Sequence, residues 1–201
     1  MRRDHEISSA LEVPGVIRSL GLFPHQGGLA IVLEDPGAVE LARATEQGVH
    51  SIFDFLRIGI QVAEILGQVH KKRIVHKNLH PGSILVHPTT GHVYITDFGI
   101  SSTLGRENAG LLTPDQIEGQ LPYIAPEQTG RMNRSIDYRS DFYSLGITLF
   151  EILTGRLPFE SNDPMEFVHF HIARDLPQAG KARYGDAVPQ GIQQILIRLT
   201  A

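Results

Sequence analysis

One stretch constrains this chain more than any other: residues 140–159, SDFYSLGITLFEILTGRLPF, which read as a helix apolar on nearly every side. A helix of that kind cannot rest on a surface, because no face of it prefers water, so other elements must surround it. Ser140 or Asp141 is placed to cap its start, Gly155 to end it in a left-handed turn, and Pro158 prevents its continuation. The chain has 201 residues, 41% hydrophobic and 20% charged. That is enough to build one core around such a helix, and residues 1–201 read as a single unit.

A second helix is announced by Ile52, Phe55, Leu56, Gly59, Val62, Ala63, Leu66 and Val69, a stripe at i, i+3, i+4, i+7 spacing. Ser51 with Asp54 gives a capping-box start, and Lys71, Lys72 and Arg73 suit the negative end of the helix dipole. Upstream, Ile7, Ala10 and Leu11 predict a short helix over residues 3–12, stopped by Pro14 and Gly15. GVIRSLGLF and LAIVLED, separated by the turn-rich PHQGG, predict a hairpin. SILV and HVYIT, joined by HPTTG, predict another. Residues 100–124 have no period and read as a long loop. Asp163 with Pro164 starts one further helix, and PQGIQQILIRLT begins a last one.

Formal net charge is −4 with pI near 6.2, so no basic field exists for nucleic-acid phosphates. Without cysteine, disulfides, thiolate metal sites and thiol catalysis are excluded. The N-terminus lacks the apolar core of a signal peptide, and no run approaches a membrane span, so the reading is a soluble cytoplasmic protein.

Four short motifs then fall in order: His76-Lys77-Asn78-Leu79 with Ser83 five residues after Asn78; Asp97-Phe98-Gly99; Ala125-Pro126-Glu127; and Asp141-Phe142-Tyr143-Ser144-Leu145-Gly146. Each alone arises by chance, but their order and spacing resemble the signatures of eukaryotic-type Ser/Thr protein kinases. YIAPEQTGRMNRSIDYRSDFYSLGITLFEILTGRLPF is similar, more narrowly, to the kinase modules of large bacterial hybrid sensor kinases. The resemblance implies an α+β, protein kinase-like fold, mainly the α-helical C-lobe over residues 36–201, cut at its C-terminal end. Residues 1–35 would be an N-lobe remnant of one helix and a β-hairpin.

It also implies a site with its reagents replaced. In the family an Asp aligns the acceptor hydroxyl, an Asn and the DFG Asp hold Mg²⁺, and a strand lysine pairs with ATP phosphates. Asn78 stands at the base position, and a neutral amide cannot take a proton. Ser83 and Asp97 take the Mg²⁺ positions, His80 that of a phosphate-contacting lysine, and Gln120 that of a threonine that bonds the catalytic Asp. Lys77 replaces an arginine and lacks its bidentate grip on phosphate. Leu33, Glu34 and Asp35 fall on the hinge that receives adenine, where Pro36 has no N–H to donate. The first lysine is Lys71, so no phosphate-pairing lysine precedes the helices, and Asp4 or Glu6 takes the place of its glutamate partner. Glu127 would face an arginine beyond Ala201.

ATP and Mg²⁺ are therefore the cofactors implied by resemblance, with binding put in doubt by these replacements. The leading expectation is a catalytically impaired kinase-like module, or a fragment of a larger sensor kinase, acting through a protein or signalling partner. An ATP-dependent Ser/Thr protein kinase is the alternative. His76 and His80 lie four apart, but Pro81 denies them a shared helical face, and His169 and His171 diverge on a helix, so no metal cluster is expected there. Arg131, Arg134 and Arg139 read as a solvated charged surface.

Overall fold

In the computed structural model, which describes residues 1–47, 51–104 and 117–201, the chain runs α1 (Arg2–Ala10), β1 (Ser19–His25), β2 (Gly28–Leu33), β3 (Val39–Glu40), α2 (Leu41–Gln47), α3 (Ile52–Lys71), β4 (Ile74–Val75), β5 (Ile84–Val86), β6 (Val93–Ile95), β7 (Ser102–Thr103), α4 (Tyr138–Thr154), α5 (Pro164–Ala173) and α6 (Gln190–Leu199). Residues 105–116 of the loop expected over 100–124 lie outside the described residues.

β1 and β2 pair antiparallel, with His25 opposite Gly28. The two residues between them, Gln26 and Gly27, both take positive φ, 47° and 79°, as a tight hairpin turn that matches strand twist requires. α1 packs on this hairpin, where His5 Nδ1 and Ser19 Oγ lie 2.8 Å apart. β3, β5 and β6 form a second antiparallel sheet, and β4 pairs with β7. A lone parallel bridge, Val16 to Ile95, ties the segment after α1 to β6.

α4 is enclosed, as its composition demands: twelve of its residues, from Ser140 to Leu153, are buried. Its N-cap is Asp137, whose carboxylate accepts the Arg139 N–H at 2.8 Å. This corrects the expectation of a cap at Ser140 or Asp141. Both lie one turn further in, fully buried, with their oxygens drawn to other segments. α6 crosses so close that a Cβ on Gly146 would meet Thr200 Cγ2 at 2.6 Å and Leu199 Cβ at 2.9 Å, so only glycine fits there. Gly155 ends α4 at φ 76°.

Ser51 caps α3 by accepting the Asp54 N–H. Phe55, Val62, Leu66 and Val69 of the expected stripe are buried, joined by Ile58 and Ile65, whereas Leu56 stays 37% exposed. α3 carries apolar residues on more than one side, and periodicity alone could not choose between them. One main core, including Leu66, Leu79, Ile84, Ile95, Phe98, Phe150 and Leu153, joins α3, β5, β6 and α4. It sets the two segments that carry the candidate site, residues 76–83 and 96–99, on a rigid floor.

Candidate active site

The 76–83 segment is fixed from below by one carboxylate. Asp141, fully buried on α4, accepts the His76 N–H on Oδ2 (2.9 Å) and the Lys77 N–H on Oδ1 (2.8 Å), and its Oδ2 also meets His70 Nε2 at 2.7 Å. Lys77 adopts φ 67°, a conformation rare for a side chain with a Cβ, which brings the two consecutive amides onto Asp141. His76, also fully buried, donates Nε2–H to Thr96 O at 2.9 Å, takes the Asn78 N–H on Nδ1 at 3.2 Å, and meets the Phe98 ring edge-on at 4.6 Å. The polar groups that hold this segment from below are thus each paired, while Ser144 Oγ and Thr148 Oγ1 elsewhere on α4 are buried without partners among the described residues.

On that floor Asn78 and Asp97 come together: Asn78 Nδ2 donates to Asp97 Oδ2 at 2.7 Å. Asp97 takes φ 66°, which turns it out of the strand before it. Asn78 Oδ1 is buried and has no partner among the described residues, and Gly119 passes so near that a Cβ there would lie 3.4 Å from it. His80 accepts the Gly82 N–H on Nδ1 at 3.1 Å, which leaves the proton of the neutral ring on Nε2; that atom is buried and unpartnered among the described residues. Burial pushes the His80 imidazole below its ordinary pKa, against the pull of Asp97. Ser83 is fully buried: its Oγ accepts the His80 N–H and donates to His80 O, both at 3.0 Å.

The remaining residues singled out in the sequence lie around this centre. Gln120 has an exposed side chain, and its carbonyl accepts the Tyr123 N–H. At the end of β2, Leu33 is half-buried and Glu34 and Asp35 are exposed; the Glu34 N–H is used by Arg18 O at 2.9 Å, and Asp35 Oδ1 accepts the Gly37 N–H at 2.8 Å. Of the two acids proposed on α1, Asp4 is the one that points inward: its Oδ1 accepts the Phe98 N–H at 3.1 Å. Burial raises the Asp4 carboxyl above its usual range, Asp97 adds to the rise, and the Phe98 N–H opposes it.

Five contacts had no readable signal in the sequence. Lys77, 4% exposed, sets Nζ 3.5 Å from Glu118 Oε2. Gln128 holds Lys77 O with its amide (2.9 Å), and buried Glu127 accepts the Ser140 hydroxyl at 2.6 Å. Buried His171 donates Nε2–H to Leu121 O and accepts from the Tyr143 hydroxyl, both at 2.8 Å; burial lowers it to about 4. Each joins residues 13 to 51 positions apart, beyond the reach of local patterns.

A catalytic-type segment anchored on a buried helix, facing an Asp-Phe-Gly turn, is the arrangement of a protein kinase. The chain belongs to the protein kinase domain family, which it matches over residues 1–196. It is 29% identical over its whole length to serine/threonine-protein kinase PrkC of Bacillus subtilis, and 28% identical, again over its whole length, to the probable serine/threonine-protein kinase pknA2 of Bifidobacterium longum. Over 146 residues, 73% of this chain, it is 30% identical to the probable kinase PknB of Lactococcus lactis. The chain spans 30%, 26% and 22% of the length of these relatives. Among the described residues, six α-helices and small antiparallel sheets give the α+β architecture of a partial protein kinase fold. Among the described residues no helix is long and apolar enough to cross a membrane, and none group as a cluster of three or more metal-ligating side chains.

Proposed function

We propose that residues 1–201 form a Ser/Thr-type protein kinase-like domain that does not transfer phosphate efficiently and acts as an interaction or regulatory module in bacterial cytoplasmic signalling, with a protein as its partner. The observation that carries this reading is the Asn78–Asp97 hydrogen bond. Where phosphotransfer needs a carboxylate to orient the acceptor hydroxyl, this chain sets a carboxamide, and the amide is turned toward Asp97. Around it Asp4 bonds to a backbone N–H where the family has a lysine-bound acid, and the hinge position that would donate to adenine is Pro36, which has no N–H. The metal-position residues Asp97 and Ser83 are both engaged internally and, as they stand, do not fit a magnesium ion.

The test is transfer of labelled γ-phosphate from Mg·ATP to a generic protein acceptor and to the chain itself. Wild type and Asp97→Ala are expected to give the same background signal. Transfer by wild type that Asp97→Ala abolishes would restore the enzyme reading.

A further inference from the structure

The orientation of the Asn78 amide is decided by its neighbour. Turned the other way, Oδ1 would face Asp97 Oδ2, acceptor against acceptor; as placed, Nδ2 donates at 2.7 Å and Oδ1 is left buried and unpartnered among the described residues. One unsatisfied oxygen is thus tolerated so that the Asp97 carboxylate keeps a donor. A magnesium ion demands a nearly octahedral set of oxygens at about 2.0–2.1 Å, and the protein's share of that set is one or two carboxylates, which must offer it their lone pairs. Here one oxygen of the Asp97 carboxylate is engaged. Ser83, five residues after Asn78, is fully buried with its hydroxyl bonded twice to the His80 backbone, and Asp4, the other acid at this turn, is directed at the Phe98 N–H.

We infer that Asn78 stands in for a cation: its amide occupies the Asp97 carboxylate and, with Ser83 folded inward, closes the site to a divalent ion. The residue at the base position therefore does two things. It withholds a base, and it competes with metal. This deepens the preceding reading and rests on it only in identifying Asp97 with the metal position of the family. A consequence is that any nucleotide phosphate taken up at this turn gains nothing from Mg²⁺.

The test is a Mn²⁺ titration of the whole 201-residue chain followed by the electron paramagnetic resonance of the free ion, without nucleotide. Wild type and Asp97→Asn are expected to bind Mn²⁺ equally weakly. Asn78→Ala, which frees the carboxylate, is expected to tighten binding roughly 10- to 100-fold, the equivalent of a hydrogen bond to a charged group that the ion no longer displaces, and the double variant Asn78→Ala/Asp97→Asn to lose that gain. If circular dichroism shows Asn78→Ala unfolded, Asn78→Leu, close in volume and without an amide, takes its place. Tighter binding by wild type than by Asp97→Asn, or no gain in a folded Asn78 variant, overturns the inference. Phosphate transfer is followed on the same samples: Asp97-dependent Mn²⁺ binding without transfer overturns the metal inference alone, whereas transfer by wild type overturns the reading beneath it.

Discussion

The ground beneath the site and the site itself differ in how their polar groups are served. Below, Asp141 receives three donors, Glu127 receives Ser140, and His171 is paired on both ring nitrogens. Above, Asn78 Oδ1 and His80 Nε2 are buried without partners among the described residues, and the Asp97 charge adds to the burial that raises the Asp4 carboxyl. The lower network holds the chain in the shape of a kinase, and its residues are those the fold needs. The upper residues stand where phosphotransfer chemistry would be carried out, and there Asn78 and Asp97 bond to each other. Architecture and reactivity are thus carried by separate side chains a few ångströms apart, and one set can change without the other.

The sharpest way to break that contrast is Asp141→Ala. Removing a fully buried carboxylate strands two backbone N–H groups and His70, and about 3–5 kcal/mol of stability should disappear in a urea titration. A loss below about 1 kcal/mol would mean that Asp141 does not anchor the segment. Next comes His171, held neutral near 4 against an ordinary 6.5. Because its folded pKa is depressed, the unfolded chain takes up the proton first. Stability is therefore full above about 6.5 and falls as pH drops toward 4, by about 3 kcal/mol, and His171→Gln should flatten that slope. Ser140→Ala, which leaves the buried Glu127 carboxylate without its hydroxyl donor, should cost about 2 kcal/mol by the same denaturation. The smallest effect belongs to the upper region. Asp4 has a raised pKa, so its favourable contribution is present at low pH and lost as pH rises through its folded value; Asp4→Asn keeps an acceptor for the Phe98 N–H and removes the charge beside Asp97. At pH 7 it should be neutral or stabilising by less than about 1 kcal/mol, the half-exposed carboxyl being screened by solvent. A clear destabilisation would show that the charge itself is needed.

The legible part of the fold was whatever local physics decides. The all-round apolar helix, the Ser51 and Asp163 caps and the tight hairpin were readable because each depends on residues within a turn or two. The α4 cap was misplaced by three residues because Asp137, Ser140 and Asp141 are all capping types, and only the tertiary pull on Ser140 and Asp141 separates them. In the site, the identities of Asn78, Ser83 and Asp97 could be read by position, but not what they bond to. The Asn78 amide turned toward Asp97, the Ser83 hydroxyl folded under His80, and the choice of Asp4 over Glu6 are all facts of long-range packing.

The central claim is that this chain keeps the frame of a kinase while Asn78 denies it the chemistry, and single-turnover transfer of γ-phosphate by purified residues 1–201 at saturating Mg·ATP tests it most directly. The expected result is no transfer above the Asp97→Ala background. Turnover near the roughly 1–100 s⁻¹ typical of kinases, lost in Asp97→Ala, would contradict it.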